Sequence, residues 1–227
     1  MADYIDKNIL CQAYIHVHLD DRLSAAQLSE IRSHLEQYAS SRGKFFISPE
    51  VVAEVEFKEG SLKSYLTLAG ALYIAIGQYG SFRSGVDCLY TDTKRLSDAL
   101  VAESLFSTQS RFQQVIRTEA RVGVIGSLKA VVDDMESIET LQGQVSVSEI
   151  ARRINKLKAD SQTLSDNLRD PKDVAELQKE LDSFADARPE ECPFPPKRKP
   201  PQYAIIEYAE ALENFRKSFG KKKNKKP

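Results

Sequence analysis

The chain has 227 residues, of which 41% are hydrophobic and 29% charged, and this balance excludes a disordered or collagen-like protein. One or two domains are expected, with enough residues to bury a core without disulfides. The three cysteines, Cys11, Cys88 and Cys192, are far apart, and the first residues carry acids where a secretory signal carries bases. We therefore expect a cytoplasmic protein in a reducing compartment.

The net charge of −1 is unevenly distributed along the chain. Residues 188–227 contain eleven Lys and Arg against five Glu, which leaves this segment at about +6 and the rest at about −7. A basic segment on an acidic protein is typical of chains that meet polyanions or acidic partners.

The N-terminal third predicts a β-α-β-β unit. Residues 10–19 alternate and are rich in β-formers, which indicates a strand. Ser24 and Gln27 fit a capping box that opens a helix, and we expect this helix to end near Gly43. Residues 51–57 alternate cleanly and residues 62–68 return as their hairpin partner, after a turn at 59–61 that Gly60 favours.

The rest of the chain predicts helices. One is marked by apolar residues such as Val86 and Leu89 and runs to about Phe106, with a break near Gly80-Ser81. From Arg111 the chain is expected to be helical throughout. Phe112, Val115, Ile116 and later apolar residues are assigned to one long helix that stops at Gly143. Two further helices start near Ser148 and at Asp170, and the first of them carries a heptad-like seam typical of a coiled coil.

These elements give a helix-dominated α+β fold: a small N-terminal β-α-β-β unit followed by long helices and a tethered C-terminal helix. The expected divisions are an α/β unit with its following helix at 1–108, a helical bundle at 109–188, a proline-rich basic linker at 189–201, an amphipathic helix at 202–219 and a disordered lysine-rich tail at 220–227.

Residues 64–82 contain no charge and approach the length needed to cross a bilayer. They also contain polar residues and three glycines, and they begin in a predicted strand. A buried strand passing into a buried helix is the favoured interpretation, and a membrane-associated effector is the alternative.

No recognisable catalytic motif is present. His16 and His18 share a face of the first predicted strand, but nothing nearby supplies an obvious further metal ligand, so the sequence predicts neither a metal site nor a cofactor. The glycines at 77, 80 and 85 lack the spacing of a phosphate-binding loop.

Two surfaces are predicted to bind partners. The C-terminal helix presents Tyr203, Ile206, Leu212 and Phe215 for docking on another protein or on a second copy, with docking on its own core as the alternative. The basic clusters offer nucleic acid or another polyanion a non-specific site, formed by Lys197, Arg198, Lys199, Lys221, Lys222 and Lys223.

The Glu59-Gly60-Ser61-Leu62 turn and the apolar segment at 70–85 (GALYIAIGQYGSFRSG) resemble poorly characterised proteins encoded in bacterial anti-phage defence operons. The resemblance covers residues 50–95 and implies an accessory or effector subunit, without fixing a functional residue. The leading expectation is therefore a non-enzymatic interaction subunit of a larger assembly, and a nucleic-acid-associated accessory protein is the alternative.

Overall fold

The structure is a computed structural model that describes residues 9–48, 50–58, 62–72, 76, 81–168, 170–195 and 199–219. The chain is a helix-dominated α+β protein with a four-stranded antiparallel sheet. In chain order the elements are β1 (Ile9–Val17), α1 (Ala25–Phe46), β2 (Val52–Lys58), β3 (Leu62–Ala69), α2 (Phe82–Ser107), β4 (Val115–Arg121), α3 (Gly123–Leu141), α4 (Val147–Asn167), α5 (Pro171–Asp186) and α6 (Gln202–Phe219).

The chain divides into two compact units. Unit 1 comprises Met1–Lys129 with Asn167–Arg169, and unit 2 comprises Ala130–Asp166 with Asp170–Pro227. Unit 1 holds the sheet, whose strand order is β2-β3-β1-β4. Its β-α-β-β-α-β chain order with this strand order is the ferredoxin-like arrangement, in which the first and third strands occupy the centre.

One face of the sheet is covered by helices. Alternate residues of β1, among them Cys11, Ala13, Ile15 and Val17, are almost completely buried, as expected when one side of a pleated strand faces a core. Helix α1 packs on β2 and β3, and α2 packs on β1 and β4. The intervening residues of each strand point to the opposite face.

Helix α1 begins as predicted, because the Ser24 hydroxyl accepts from the Gln27 N–H and the Gln27 side chain accepts from the Ser24 N–H. The predicted end at Gly43 is wrong, since the helix continues to Phe46. Gly43 is instead a close-packing position: a Cβ there would lie 2.9 Å from Val51 Cγ1 and 3.3 Å from Leu68 Cδ1. The glycine lets the helix lie directly on the sheet.

The long helix predicted from Arg111 is also wrong. Residues 112–114 form a short 3-10 turn, β4 follows, and α3 begins only at Gly123. The apolar residues at 112, 115 and 116 matched helical spacing, but the segment also alternates charged and uncharged side chains and pairs with β1. Gln109 and Gly123, with φ of 52° and 48°, mark the breaks on either side.

The remaining helix boundaries agree with the sequence. Helix α2 begins after the Ser81 cap and ends at Ser107. Gly143 adopts a φ of 77° just past the end of α3. At the start of α5 the Asp170 carboxylate accepts from the Lys172 N–H, with Pro171 in the first turn. The turn at Gly60 and the break at Gly80 lie outside the described residues.

The uncharged run at 64–82 is not one membrane-crossing helix. Its first six residues belong to β3, which is hydrogen-bonded to β1 on one side and to β2 on the other. Within the described part of the chain, no helix has the length and apolarity needed to cross a membrane.

Unit 2 is built from helices. The seam of α4 is buried, with Ile150, Ile154 and Leu157 fully inaccessible, and α4 is joined to α3 by an ion pair between Lys156 and Asp134 and by a hydrogen bond from Arg153 to Ser137 at 2.9 Å. Residues 189–195, in the predicted linker, form no helix or strand.

Candidate functional site

The face of the sheet opposite α1 and α2 carries a regular grid of side chains, which we call the open face. The strand register places them in three rows, one residue from each strand per row. Each row is given in the strand order β2, β3, β1, β4. The polar row consists of Glu54, Thr67, Gln12 and Arg121, and the tyrosine row consists of Glu56, Tyr65, Tyr14 and Glu119. The basic row consists of Lys58, Lys63, His16 and Arg117.

Two tyrosines occupy the centre of the open face. The rings of Tyr14 and Tyr65 lie side by side, with centroids 4.9 Å apart and planes tilted by 43°. Cations cover both rings: the Arg121 guanidinium is 5.2 Å from the Tyr14 centroid, and Lys58 Nζ is 4.9 Å from that of Tyr65. Tyr14 is only 8% exposed, and its desolvation raises the pKa of its phenol. Tyr65 is the more accessible ring.

The polar row ties the central strands to β4. Gln12 Nε2 donates to Thr67 Oγ1 at 2.9 Å, and Gln12 Oε1 accepts from Arg121 Nη1 at 2.6 Å. Arg121 also forms an ion pair with Glu119. These contacts hold the Arg121 guanidinium over Tyr14, so the aromatic centre is bordered by a positioned cation.

The basic row runs across all four strands at the other side of the tyrosines. Lys63 lies directly opposite Lys58 on one side and His16 on the other, and Arg117 lies opposite His16. Like charges placed opposite each other in a sheet are destabilising. The row is therefore a feature that folding stability alone does not favour. Solvent reaches it, since the Lys58 and Arg117 side chains are 54% and 66% exposed.

His16 shows the electrostatic effect of this row. Desolvation, and secondarily the neighbouring Lys63 ammonium, lower the pKa of the imidazole below its ordinary 6.5. The ring is therefore neutral at neutral pH and gains a proton only in acid or when a nearby negative charge compensates the lysine.

Three carboxylates also lie on the open face, but none lies in the basic row. Glu119 forms ion pairs with Arg117 and Arg121, and Glu56 Oε1 lies 3.5 Å from Lys58 Nζ. The glutamates lie on the outer strands, while the centre is aromatic and uncharged. The grid can therefore offer aromatic stacking at its centre and cations along one border.

The two buried cysteines, Cys11 of β1 and Cys192 of unit 2, do not supply an activated nucleophile. Burial raises the pKa of the Cys11 thiol to about 12 and that of Cys192 to about 11, so both are protonated at neutral pH. Cys88 is exposed on α2, and all three thiols are free.

The four residues of the predicted docking face on the C-terminal helix differ in exposure: two are exposed and two are buried. Tyr203 and Ile206 are 63% and 48% exposed, whereas Leu212 and Phe215 are buried within unit 2. The Phe215 ring contacts Phe184 of α5, with centroids 5.7 Å apart. In this conformation the second half of the predicted face therefore packs on the protein's own core, as the alternative interpretation held.

The predicted polyanion residues fall largely outside the described part of the chain. Five of the six lie outside the described residues: Lys197, Arg198, Lys221, Lys222 and Lys223. The predicted disordered tail at 220–227 also lies outside them. Lys199 is described, and its side chain is exposed.

Of the two histidines singled out in the sequence, His16 belongs to the basic row and His18 is exposed just beyond β1. No group of three or more metal-ligating side chains occurs among the residues that the structure describes.

Sequence reasoning did not find the open face. The sequence did contain one indication of this face, the alternation within each strand. It predicted that Glu54 and Glu56 share an exposed face and that His16 and His18 share a face. The missing information was the register between strands, because Tyr14 and Tyr65 are about fifty residues apart in the chain. No protein-family model matches the chain, and neither a curated protein nor a solved structure is significantly similar to it.

Proposed function

We propose that this chain is a non-enzymatic binding protein that holds single-stranded nucleic acid on the open face of its sheet. One observation carries the proposal: two adjacent tyrosine rings at the centre of a solvent-facing sheet lie beside a row of four basic side chains. Each part matches one component of a nucleic-acid strand, since bases stack on aromatic rings and phosphates attract cations.

The topology supports the same proposal. Four-stranded sheets that bind single-stranded RNA use aromatic side chains of their strands to stack two or three bases. Here Tyr14 and Tyr65 occupy the middle of the two central strands. The parallel is one of arrangement and side-chain chemistry. A base would stack on the half-buried Tyr65 ring in place of the Lys58 ammonium, and the Arg121 guanidinium plane offers a second stacking surface above Tyr14.

A binding titration tests the proposal. The full chain is mixed with a fluorescent oligothymidylate or oligouridylate of about 12 nucleotides, which suits the usual length of single-strand sites. We expect Tyr65→Ala to weaken binding about fivefold or more, since one base stack contributes about 1–3 kcal/mol. The control is Tyr203→Ala, which removes a more exposed tyrosine ring, 63% accessible, from unit 2. Equal affinity of the Tyr65 variant and the wild type would overturn the proposal.

The lysine-rich tail is the competing route to nucleic acid, and a truncation separates the two. A chain ending at Phe219 keeps the whole open face and loses all five lysines of the tail. Binding through the sheet predicts that this chain retains its sensitivity to Tyr65→Ala. Loss of all binding on truncation would assign the activity to the tail instead.

A second candidate function is docking on a protein partner, in keeping with an interaction subunit of a larger, anti-phage type of assembly. The observation that favours it is the exposed apolar first turns of α6, where Tyr203, Ile205 and Ile206 are each more than two-fifths accessible. Capture of a stoichiometric partner by the wild type but not by Ile206→Glu supports it, and equal capture by both counts against it. Three free cysteines suit the reducing cytoplasm in which we place either function.

A further inference from the structure

Strand β4 forms one edge of the sheet. Within the described residues it is hydrogen-bonded to β1 on one side and has no strand on the other. Its side chains are open to solvent, with Ile116 57% exposed and Thr118 and Ala120 also exposed. Such an edge presents a row of backbone donors and acceptors that another strand can pair with, unless the edge is protected.

The opposite edge, β2, is protected against pairing with itself in the register of greatest overlap, which is centred on its middle residue, Val55. An antiparallel pair of two β2 strands centred on Val55 would place Glu54 of each copy opposite Glu56 of the other. Two pairs of like charges directly opposite each other oppose such an association. The carboxylates are exposed on the open face, so this repulsion would be present at the start of any encounter.

Strand β4 has the reverse pattern. An antiparallel pair of two β4 strands centred on Thr118 would place Arg117 of each copy opposite Glu119 of the other, on the open face. On the other face, Ile116 of each copy would lie opposite Ala120 and would lose its exposure. Antiparallel pairing of a strand with its copy about the middle residue therefore gives repulsion at β2, whereas at β4 it gives two opposite-charge contacts and two apolar contacts.

We infer that β4 is a self-association edge, through which two copies of this chain pair antiparallel about Thr118. The occupant is a second copy rather than another strand because the charge pattern of β4 is complementary to itself under a twofold rotation, which is the symmetry of most homodimers. Backbone hydrogen bonds supply the affinity, and the Arg117–Glu119 contacts fix the register. The two four-stranded sheets become one eight-stranded sheet with both open faces on the same side.

The existing ion pair between Arg117 and Glu119 within one chain does not oppose this arrangement. In the pair each Glu119, which already contacts Arg117 and Arg121 of its own chain, gains a third arginine, and each Arg117 gains a second glutamate. The charges of Arg117 and Glu119 therefore alternate in sign around the twofold axis. The net electrostatic gain is small at an exposed site. The charges therefore decide which register forms more than how tightly it forms.

Disulfide trapping tests the register directly. In a Cys88→Ser background, which removes the one exposed thiol, Thr118→Cys places two thiols opposite each other across the axis. Directly opposite residues in an antiparallel pair have Cα atoms about 4.5–5.5 Å apart, which a disulfide spans. The matched control is Ala120→Cys, because its symmetry mate lies four residues away along the strand, about 13 Å.

We expect mild oxidation to give a reducible covalent dimer with Thr118→Cys and little with Ala120→Cys. Equal cross-linking of both variants would indicate random collision, and no cross-linking of either would show that the edge does not pair. Both outcomes overturn the inference. The experiment contains no nucleic acid, so its failure leaves the proposed function untouched.

A charge exchange tests the same contact without cysteines. Sedimentation velocity over a concentration series is compared for wild type, Arg117→Glu, Glu119→Arg and the double exchange. We expect each single variant to weaken the dimer at least severalfold, because it places like charges opposite each other twice, and the double exchange to recover most of the loss. A double variant no stronger than the singles would overturn the inference. Tyr65→Ala is expected to dimerise normally.

Discussion

The two faces of the sheet in unit 1 are made by alternating residues of the same strands, yet they differ in nearly every property. On the two central strands the covered face is largely apolar and inaccessible, as at Ile15 and Leu66. The open face is polar, aromatic and charged, and its basic row places like charges side by side. The difference indicates that stability comes mainly from one face, which leaves the other free to carry charges that suit a ligand better than they suit the fold.

The sharpest test of this division uses two adjacent residues of β3. Leu66 is fully buried on the covered face, and Tyr65 lies beside it on the open face. We expect Leu66→Ala to lower the free energy of unfolding by about 2–5 kcal/mol, since it leaves a cavity in the core, as measured by the shift of a chemical-denaturation midpoint. While folded, this variant should bind oligonucleotide like the wild type. Comparable losses of stability in Leu66→Ala and Tyr65→Ala would contradict the division.

The basic row offers a second test, on the binding side. We expect the double variant Lys63→Gln, Arg117→Gln to bind oligonucleotide about tenfold more weakly at low salt. The slope of log affinity against log salt should also fall by about 1.4, because each phosphate contact to a single strand contributes about 0.7. Thermal unfolding should change little, since Lys63→Gln removes the like-charge contact with Lys58 while Arg117→Gln removes an exposed ion pair with Glu119. An unchanged salt slope would exclude the row from the interface.

The covered side can also be weakened from outside the core. Ser24→Ala removes the side-chain acceptor of the capping box that starts α1. We expect a loss of about 1 kcal/mol in unfolding free energy, as for other N-cap substitutions, with no change in oligonucleotide affinity. Ser33→Ala, in the same helix, serves as the control. A binding defect in Ser24→Ala would show that the two faces are coupled.

The smallest expected effect is a pH dependence at His16. The pKa of its imidazole is lowered in the folded chain, so unfolded molecules take up the proton first and His16 reduces stability as pH falls below about 6.5. A bound phosphate favours the protonated ring, flanked by Lys63 and Arg117, and affinity should rise over the same range. One added charge about 4 Å from a phosphate contributes about 1 kcal/mol, or about fivefold in Kd. His16→Gln should remove this dependence of oligonucleotide affinity on pH. An unaltered pH dependence in the variant would show that another group titrates.

The covered face could be predicted from the sequence and the open face could not. Alternation in residues 10–19 and 51–57 identified two strands and, for 51–57, the buried side, and local signals such as Ser24 with Gln27 fixed helix starts. Strand β4 was missed because Phe112, Val115 and Ile116 fit a helical stripe, and only pairing with β1 decides between the two periods. Without β4, neither Arg121 nor Arg117 can be placed beside the tyrosines.

The C-terminal helix shows a different limit. Its apolar residues were recognised, but an amphipathic stripe does not say which molecule it packs on. The structure answers this for Leu212 and Phe215, which are buried among residues of α5. Tyr203 and Ile206 remain exposed and keep the docking prediction open at one end of the helix.

The central position of β1 also bears on the order in which the chain is synthesised. β1 leaves the ribosome before its partner strands, which arrive only with residues 62–69 and 115–121, and the hydrogen bond from Arg121 to Gln12 spans 109 residues. We expect a nascent three-stranded sheet to form before β4 is added, since contacts of shorter sequence separation close first. Arg121, the cation above Tyr14, is therefore the last part of the open face to be added, so this face is completed only after residues 115–121 have been translated.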